Sequence, residues 1–277
     1  MPPDPFNIAR GAGALANARR SLLPLPLVDR PGPIPRDLFP PPAQRPALTS
    51  GLGVAAATSG GAAVALTGTA RAFEDAGVRP AAISVSSAAV LWGAMWAAGM
   101  SAEEMADYSL GWRPEAALGV QWTGLPRLAV SAVRGFGGLA RGAALEQLFP
   151  RHVWHMEAGA TEVPLHAIAY DLDRDRLVPL GSEATPELTL GELARVAITP
   201  PRRADAVRIE GRYYADGGAL DPLAARAKLT ASGIEDVVEL PAGGGGFYDL
   251  FLDRRRWPDH IRDGYAVTRR RRSESPS

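Results

Sequence analysis

The stretch Ala81-Ala82-Ile83-Ser84-Val85-Ser86-Ser87-Ala88-Ala89-Val90-Leu91-Trp92-Gly93-Ala94-Met95-Trp96-Ala97-Ala98-Gly99 decides how this chain folds. Ala81 to Val85 is an apolar run of strand length, and Ala88 to Gly99 is an Ala- and Trp-rich run of helix length. Ser87 lies between them, on a strand-turn-helix corner of the kind that lifts a serine hydroxyl clear of the sheet for nucleophilic attack. Taken locally, the same serine also fits a plain helix cap.

Reading outward, a strand over Leu52 to Ala57 feeds the loop Thr58-Ser59-Gly60-Gly61 and a helix that runs to Ala76. No Lys-Ser/Thr follows the glycine pair, which disfavours a phosphate-binding loop. Downstream, Val163 to Tyr170 and Arg176 to Leu180 read as strands around the polar turn Asp171 to Asp175. A helix over Leu190 to Ala197 is stopped by Pro200-Pro201. Strands at Val207 to Ile209 and Arg212 to Ala215 flank a Glu210-Gly211 turn and deliver Asp216-Gly217-Gly218, after which come a helix, Pro222 to Ala231, and a strand, Asp236 to Leu240. Strands alternating with helices predict an α/β domain with a mainly parallel central sheet flanked by helices, and ligands bind such sheets beyond the carboxyl ends of the strands. Ser87 and Asp216 both fall at such ends.

Three blocks of this chain resemble the patatin-like phospholipase family, and the resemblance covers about Leu48 to Arg270. They are Thr58-Ser59-Gly60-Gly61-Ala62-Ala63 with Gly68 and Glu74-Asp75-Ala76-Gly77, then Ile83 to Ala89, then Asp216-Gly217-Gly218. The family carries its serine in a G-x-S-x-G pattern. Counting forward from Gly77 and backward from Ala97-Ala98-Gly99 puts that serine on Ser87 without a gap, whereas Ser86 requires a gap on both sides. The resemblance implies a patatin-like acyl hydrolase fold and a Ser87-Asp216 dyad, with Gly60 and Gly61 offering backbone amides as an oxyanion hole. Asp216 would take the Ser87 proton as the hydroxyl attacks an ester carbonyl, with no histidine and no cofactor involved. The implied partner is a lipid or other ester substrate.

The departures from the family pattern are specific. Val85 and Ala89 stand where G-x-S-x-G has its glycines, Thr58 and Ala63 occupy glycine positions of the loop, and Ala62 replaces a common arginine. Val85 is the largest intrusion, because a β-branched side chain is stiff where strand and helix approach closely, and it is expected to strain or shift the turn. Two functions therefore stay open: a serine acyl hydrolase, and a catalytically weak or inactive patatin-like domain that binds a lipid or a protein.

Composition narrows the remaining classes. The chain has 277 residues with 46% hydrophobic content, enough for one large core. It has no cysteine, so disulfides, thiol nucleophiles and cysteine-ligated metals are excluded. Thirty basic residues, of which only Lys228 is lysine, balance thirty acidic ones, leaving no global field for nucleic acid. His152 and His155 have an i, i+3 spacing but no carboxylate or cysteine pattern to complete a metal site; His166 lies inside a strand, and His260 stands alone. Trp92, Trp96, Trp112, Trp122 and Met95 read as core or pocket wall.

The expected domain plan is a Pro-rich, extended or disordered segment at 1–47, the α/β domain at 48–268, and an Arg-rich disordered tail at 269–277. Phe6 to Leu23 is a candidate amphipathic helix for peripheral membrane contact, and Arg269 to Arg272 a second basic candidate for anionic lipid. No signal peptide and no apolar run of roughly 20 residues is evident, so the expected location is cytoplasmic with optional membrane association.

Overall fold

The computed structural model describes residues 48–58, 60–111, 150–199, 206–241 and 256–274. The N-terminal segment to residue 47, Ser59, Trp112, Trp122, the Pro200-Pro201 stop and the last three residues lie outside them. In chain order the elements are β1 (Leu48–Thr49), β2 (Gly53–Ala56), a one-turn 3-10 helix (Gly60–Val64), α1 (Ala65–Glu74), β3 (Val78–Arg79), β4 (Ile83–Val85), α2 (Ala89–Ala97) and α3 (Ala102–Gly111). Then follow α4 (Arg151–Trp154), β5 (Leu165–Asp171), β6 (Arg176–Gly181), α5 (Leu190–Ala197), β7 (Val207–Ile209), β8 (Arg212–Asp216), α6 (Ala224–Ala231), β9 (Val237–Leu240) and α7 (Trp257–Glu274). No described helix is long and apolar enough to cross a membrane.

Among the described residues the main sheet has seven strands in the order β7-β8-β5-β4-β2-β9, with β6 also paired to β5; β1 and β3 form a separate parallel pair. Pairing is parallel from β9 through β2 and β4 to β5, and antiparallel among β5, β6, β7 and β8. The parallel half matches the expectation from sequence. In the other half, β5–β6 and β7–β8 are antiparallel because tight hairpins join them, which parallel strands cannot use, and β8 pairs antiparallel with β5 after the longer path through α5. One turn is Glu210-Gly211, both at positive φ (48° and 85°). The other is closed by the Asp171 carboxylate, which accepts the N–H groups of Asp173 and Arg174 at 3.0 Å each.

β5 is the joint between the halves. Its edge toward β6 is occupied from His166 to Asp171. β4 and β8 must therefore share the other edge, β4 running up to Val85 opposite Ala167 and β8 running down to Asp216 opposite Ala169. The two strands meet end to end, separated by two β5 residues, about 7 Å of strand rise. That junction positions the site.

Side-chain alternation divides the core between the faces of the sheet. Val54, Ala56, Ile83, Val85, Leu165 and Ala167 face the larger cluster, which includes Phe73, Trp92, Met95, Leu193 and Trp257 from α1, α2, α5 and α7. Ala55, Ile168 and Val237 face Ala225 and Leu229 of α6. Every residue of α2 is buried, as its lack of a polar side requires.

Arg269 to Glu274, expected as part of a disordered tail, continue α7 instead. Arginine is a good helix former, and two of these side chains have partners on the domain. Arg271 pairs with Asp236 at 3.1 Å, and Arg272 donates to the Ala72 carbonyl at 3.2 Å while its guanidinium lies over the Phe73 ring. The α1–α7 crossing is close enough to exclude side chains: a Cβ on Gly68 would overlap the Ile261 carbonyl oxygen, and one on Gly264 the Ala65 carbonyl oxygen. Thr268 Oγ1 bridges this crossing to Thr69 Oγ1 at 3.1 Å.

Gly68→Ala and Gly264→Ala are each expected to lower stability by about 2–4 kcal/mol in urea unfolding, because rigid backbone must move to admit the methyl group. Gly51→Ala, with nothing within 4 Å of the added Cβ, should stay within about 0.5 kcal/mol of the parent. A neutral Gly68→Ala would refute the close crossing.

Candidate active site

β4 is held in register as far as Ser86, whose N–H donates to the Ala56 carbonyl at 3.0 Å. The chain then turns. Ser87 has φ 54°, and its carbonyl accepts the Val90 N–H at 3.1 Å, so the residue after the strand already opens α2. Among the described residues, Ser87, Asp175 and Glu210 are the non-glycine residues at positive φ. Asp175 and Glu210 lie in hairpin turns, where that conformation is routine; Ser87 lies at a strand-to-helix corner, where surrounding structure must enforce it.

Ser87 is enforced by Asp216. The Ser87 hydroxyl donates to Asp216 Oδ2 at 2.6 Å, and the Ser87 N–H donates to Oδ1 of the same carboxylate at 3.1 Å. The Gly218 N–H adds a third bond, to Oδ1 at 2.9 Å. The aspartate is itself anchored by its N–H to the Thr199 carbonyl at 2.8 Å, and the following Gly217 N–H reaches the Ile168 carbonyl of β5. Asp216 is 5% exposed and Ser87 7%. Burial pushes the Asp216 carboxyl up to about 6, against the opposing pull of the Ser87 hydroxyl and the two amides.

The structure thus brings Ser87 and Asp216 together and leaves Ser86 close by but unbonded to the aspartate. Ser86 is fully buried and its hydroxyl makes no bond to Asp216. It lies under Gly218, where a built Cβ would sit 2.8 Å from Ser86 Cβ and 2.7 Å from the Ser87 hydroxyl. Gly218 is therefore both an amide donor to Asp216 and the only residue type that leaves both serines room. The Asp-Gly-Gly triplet is visible in the sequence, but this steric role, like the Thr199 anchor, belongs to residues distant along the chain.

Val85 does not displace the turn. Its side chain is fully buried on the face toward α2, and a Cβ built on Gly93 would lie 3.1–3.2 Å from its methyl groups. The space a glycine would leave on the strand is supplied instead by Gly93 on the helix. Ala89 is buried, and its N–H donates to the Thr58 carbonyl at 3.3 Å, tying the glycine loop to the start of α2. Gly60 has φ 68° and, with Gly61, is buried at the start of the 3-10 turn that packs against α2; Ala63 is buried in the same turn.

The histidines stand apart from this corner. His152 and His155 are exposed on and just after α4, and no group of three metal-ligating side chains occurs among the described residues. His166 is buried on the opposite face of the sheet from Val85, and burial, then the charge of Lys228, holds its pKa down.

A family model described as patatin-like phospholipase matches residues 53–227. Among solved structures, VipD from Legionella pneumophila is similar at 11% identity and a TM-score of 0.47, over 80% of this chain and 66% of that one. The type III effector protein ExoU is similar at 18% identity and a TM-score of 0.39, over 84% of this chain and 53% of that one. The chain thus spans just under two thirds of VipD and about half of ExoU. No curated protein matches. The family match runs from β2 into α6, more than half of the chain, and encloses the glycine loop, Ser87 and Asp216: this chain belongs to the patatin-like phospholipase family.

Proposed function

We propose that this chain is a serine acyl hydrolase that cleaves carboxylic ester bonds of lipids, with Ser87 as nucleophile and Asp216 as its base. The observation that carries this reading is the 2.6 Å bond from the Ser87 hydroxyl to Asp216 Oδ2 at a residue held at φ 54°. Two amides hold Oδ1 and leave Oδ2 to the hydroxyl, so the proton has one defined acceptor. As Ser87 Oγ attacks the ester carbonyl carbon, its proton passes to Asp216 Oδ2, and the carbonyl π electrons move to the oxygen. The amides of Gly60 and Gly61 receive that oxyanion. Collapse expels the alcohol, which takes the proton from Asp216; water then attacks the acyl-serine, gives its proton to Asp216, and leaves the fatty acid and a restored hydroxyl. An aspartate with a pKa of about 6 suits both halves, ionised enough at neutral pH to accept and acidic enough to return the proton.

The rival reading is a patatin-like domain that binds a lipid or protein without turnover. Thr58 and Ala63, which replace family glycines of the loop, favour it. Hydrolysis of a short-chain ester separates the two. Ser87→Ala should lower kcat/KM by roughly 10⁴-fold or more and Asp216→Asn by about 10³–10⁴-fold, with folding intact. Parent protein that is no faster than Ser87→Ala would leave only the binding role.

The pH dependence follows from the buried carboxylate. The dyad needs Asp216 ionised, so kcat/KM should fall as pH drops through about 6. Stability has the opposite sense. A carboxyl whose folded pKa is raised favours folding while neutral, and that contribution is lost as pH rises through about 6. The raised pKa corresponds to roughly 3 kcal/mol of destabilisation by the charged form at neutral pH. Asp216→Asn should therefore raise the melting temperature at pH 8, with the gain vanishing toward pH 4; destabilisation at pH 8 would refute the assignment of a desolvated carboxylate.

Gly218→Ala tests the geometry separately. Its methyl group would meet both serine hydroxyls, so ester hydrolysis should fall by about 10²-fold or more at little cost to the α1–α7 core. Unchanged turnover would mean that the 216–218 turn is not part of the reacting site.

A further inference from the structure

Among the described residues, Tyr213, Leu220 and Leu223 are the large apolar side chains left exposed, at 36%, 52% and 63%. Tyr213 is accounted for within the fold: the Arg208 guanidinium lies 5.9 Å over its ring, and its N–H donates to Asp173. The two leucines are not. They sit on the short link from Asp216 to α6, where Ala219 and Pro222 are exposed as well.

This link is ordered by its own backbone. The N–H groups of Leu220 and Asp221 donate to the Gly217 carbonyl at 3.0 and 3.2 Å. The Asp221 carboxylate is directed to the Leu223 N–H at 2.8 Å, and the Asp221 carbonyl accepts from Ala224 at 3.4 Å. The one acidic side chain of the turn is thus engaged with the start of α6. The next charge along the chain, Arg226, is paired with Glu239 at 2.8 Å. What remains outward is apolar and uncharged, on a turn in which the Leu220, Asp221 and Leu223 amides already have partners, which favours entry into the interfacial region of a bilayer.

Position supplies the occupant. Leu220 is four residues from Asp216, so its Cα lies within about 14 Å of the carboxylate's Cα even for a fully extended chain, and the turn brings it closer. An apolar segment seated 5–10 Å into the headgroup boundary, on the scale of interfacial helices, would hold the dyad beside the lipid surface, no more than about 14 Å of chain from the inserted Leu220. We propose that Ala219-Leu220-Asp221-Pro222-Leu223 docks the protein on a zwitterionic lipid surface, with Leu220 and Leu223 inserting and no lipid charge required. The choice of a bilayer as occupant rests on the lipid-ester reading of the dyad.

The test uses the full chain and extruded phosphatidylcholine vesicles. Binding is measured by flotation for the parent and for the Leu220→Ser/Leu223→Ser double variant. Hydrolysis of soluble p-nitrophenyl butyrate and the melting temperature are read alongside. The double variant should lose at least about tenfold in vesicle partitioning, since it forfeits burial of two leucine side chains, while melting and soluble-ester hydrolysis stay unchanged. Vesicle binding equal in the two proteins overturns the proposal. So does parent protein that ignores phosphatidylcholine and binds only phosphatidylglycerol vesicles, because a charged surface elsewhere would then be responsible. A parent that self-associates through the leucines, with the double variant monomeric and neither binding vesicles, assigns the patch to a second copy and also overturns it. Soluble-ester hydrolysis keeps the two readings distinct. Its presence without vesicle binding rejects the docking turn alone, and its absence with leucine-dependent vesicle binding rejects catalysis alone.

Discussion

The Asp216 carboxylate, buried and held by three donors, is the constraint on which the rest of the site depends. A charge removed from water at 5% exposure is tolerated only with hydrogen bonds to the ionised form, and here they come from the Ser87 hydroxyl, the Ser87 amide and the Gly218 amide. Two of these donors belong to one residue. For both the N–H and the O–H of Ser87 to face the same carboxylate, its backbone must leave the strand conformation, and φ 54° is the result. The strain at the corner and the desolvation of the acid are therefore one arrangement, each stabilising a feature that would be unfavourable alone.

That arrangement needs β4 and β8 to end within reach of each other, and the split pairing of β5 supplies it. In a uniformly parallel sheet with β5 between them, the two strand ends would lie two strand spacings apart, roughly 10 Å. The antiparallel pairing of β8 with β5 instead brings β8 down toward β4 on a shared β5 edge. Small residues then admit the close approach. Gly218 leaves room for two serines, Gly217 fits against the β5 backbone, and Gly93 receives the Val85 side chain. The strand-to-helix distance depends on the combined volume of Val85 and Gly93, so a strand glycine is not the only way to meet it.

Much of this was legible in the chain. The 2-period and 3.6-period runs gave β2, β4, α2, β5 to β8, α5, α6 and β9 near their observed limits, and Glu210-Gly211 and Asp171 to Asp175 announced their turns. The resemblance to the family set its serine on Ser87 rather than Ser86 and its aspartate on Asp216, and these are the two side chains that meet at 2.6 Å. What local patterns could not show were relations between distant segments. The sharing of one β5 edge by β4 and β8, the exchange of volume between Val85 and Gly93, and the Gly68–Gly264 crossing each involve residues whose neighbours are fixed by topology. The helical continuation through Arg269 to Arg272 escaped for the same reason: a basic run reads as solvated until Asp236, Ala72 and Phe73 are brought beside it.

Covalent capture tests the central claim, that the corner presents Ser87 alone as a nucleophile activated by Asp216. The parent protein is treated with a fluorophosphonate at pH 8 and the modified residue is mapped by tandem mass spectrometry, with Asp216→Asn treated in parallel. The account predicts a single adduct on Ser87, formed far more slowly in the Asp216→Asn protein. An adduct on Ser86, or one on Ser87 whose rate is unchanged by Asp216→Asn, would contradict it.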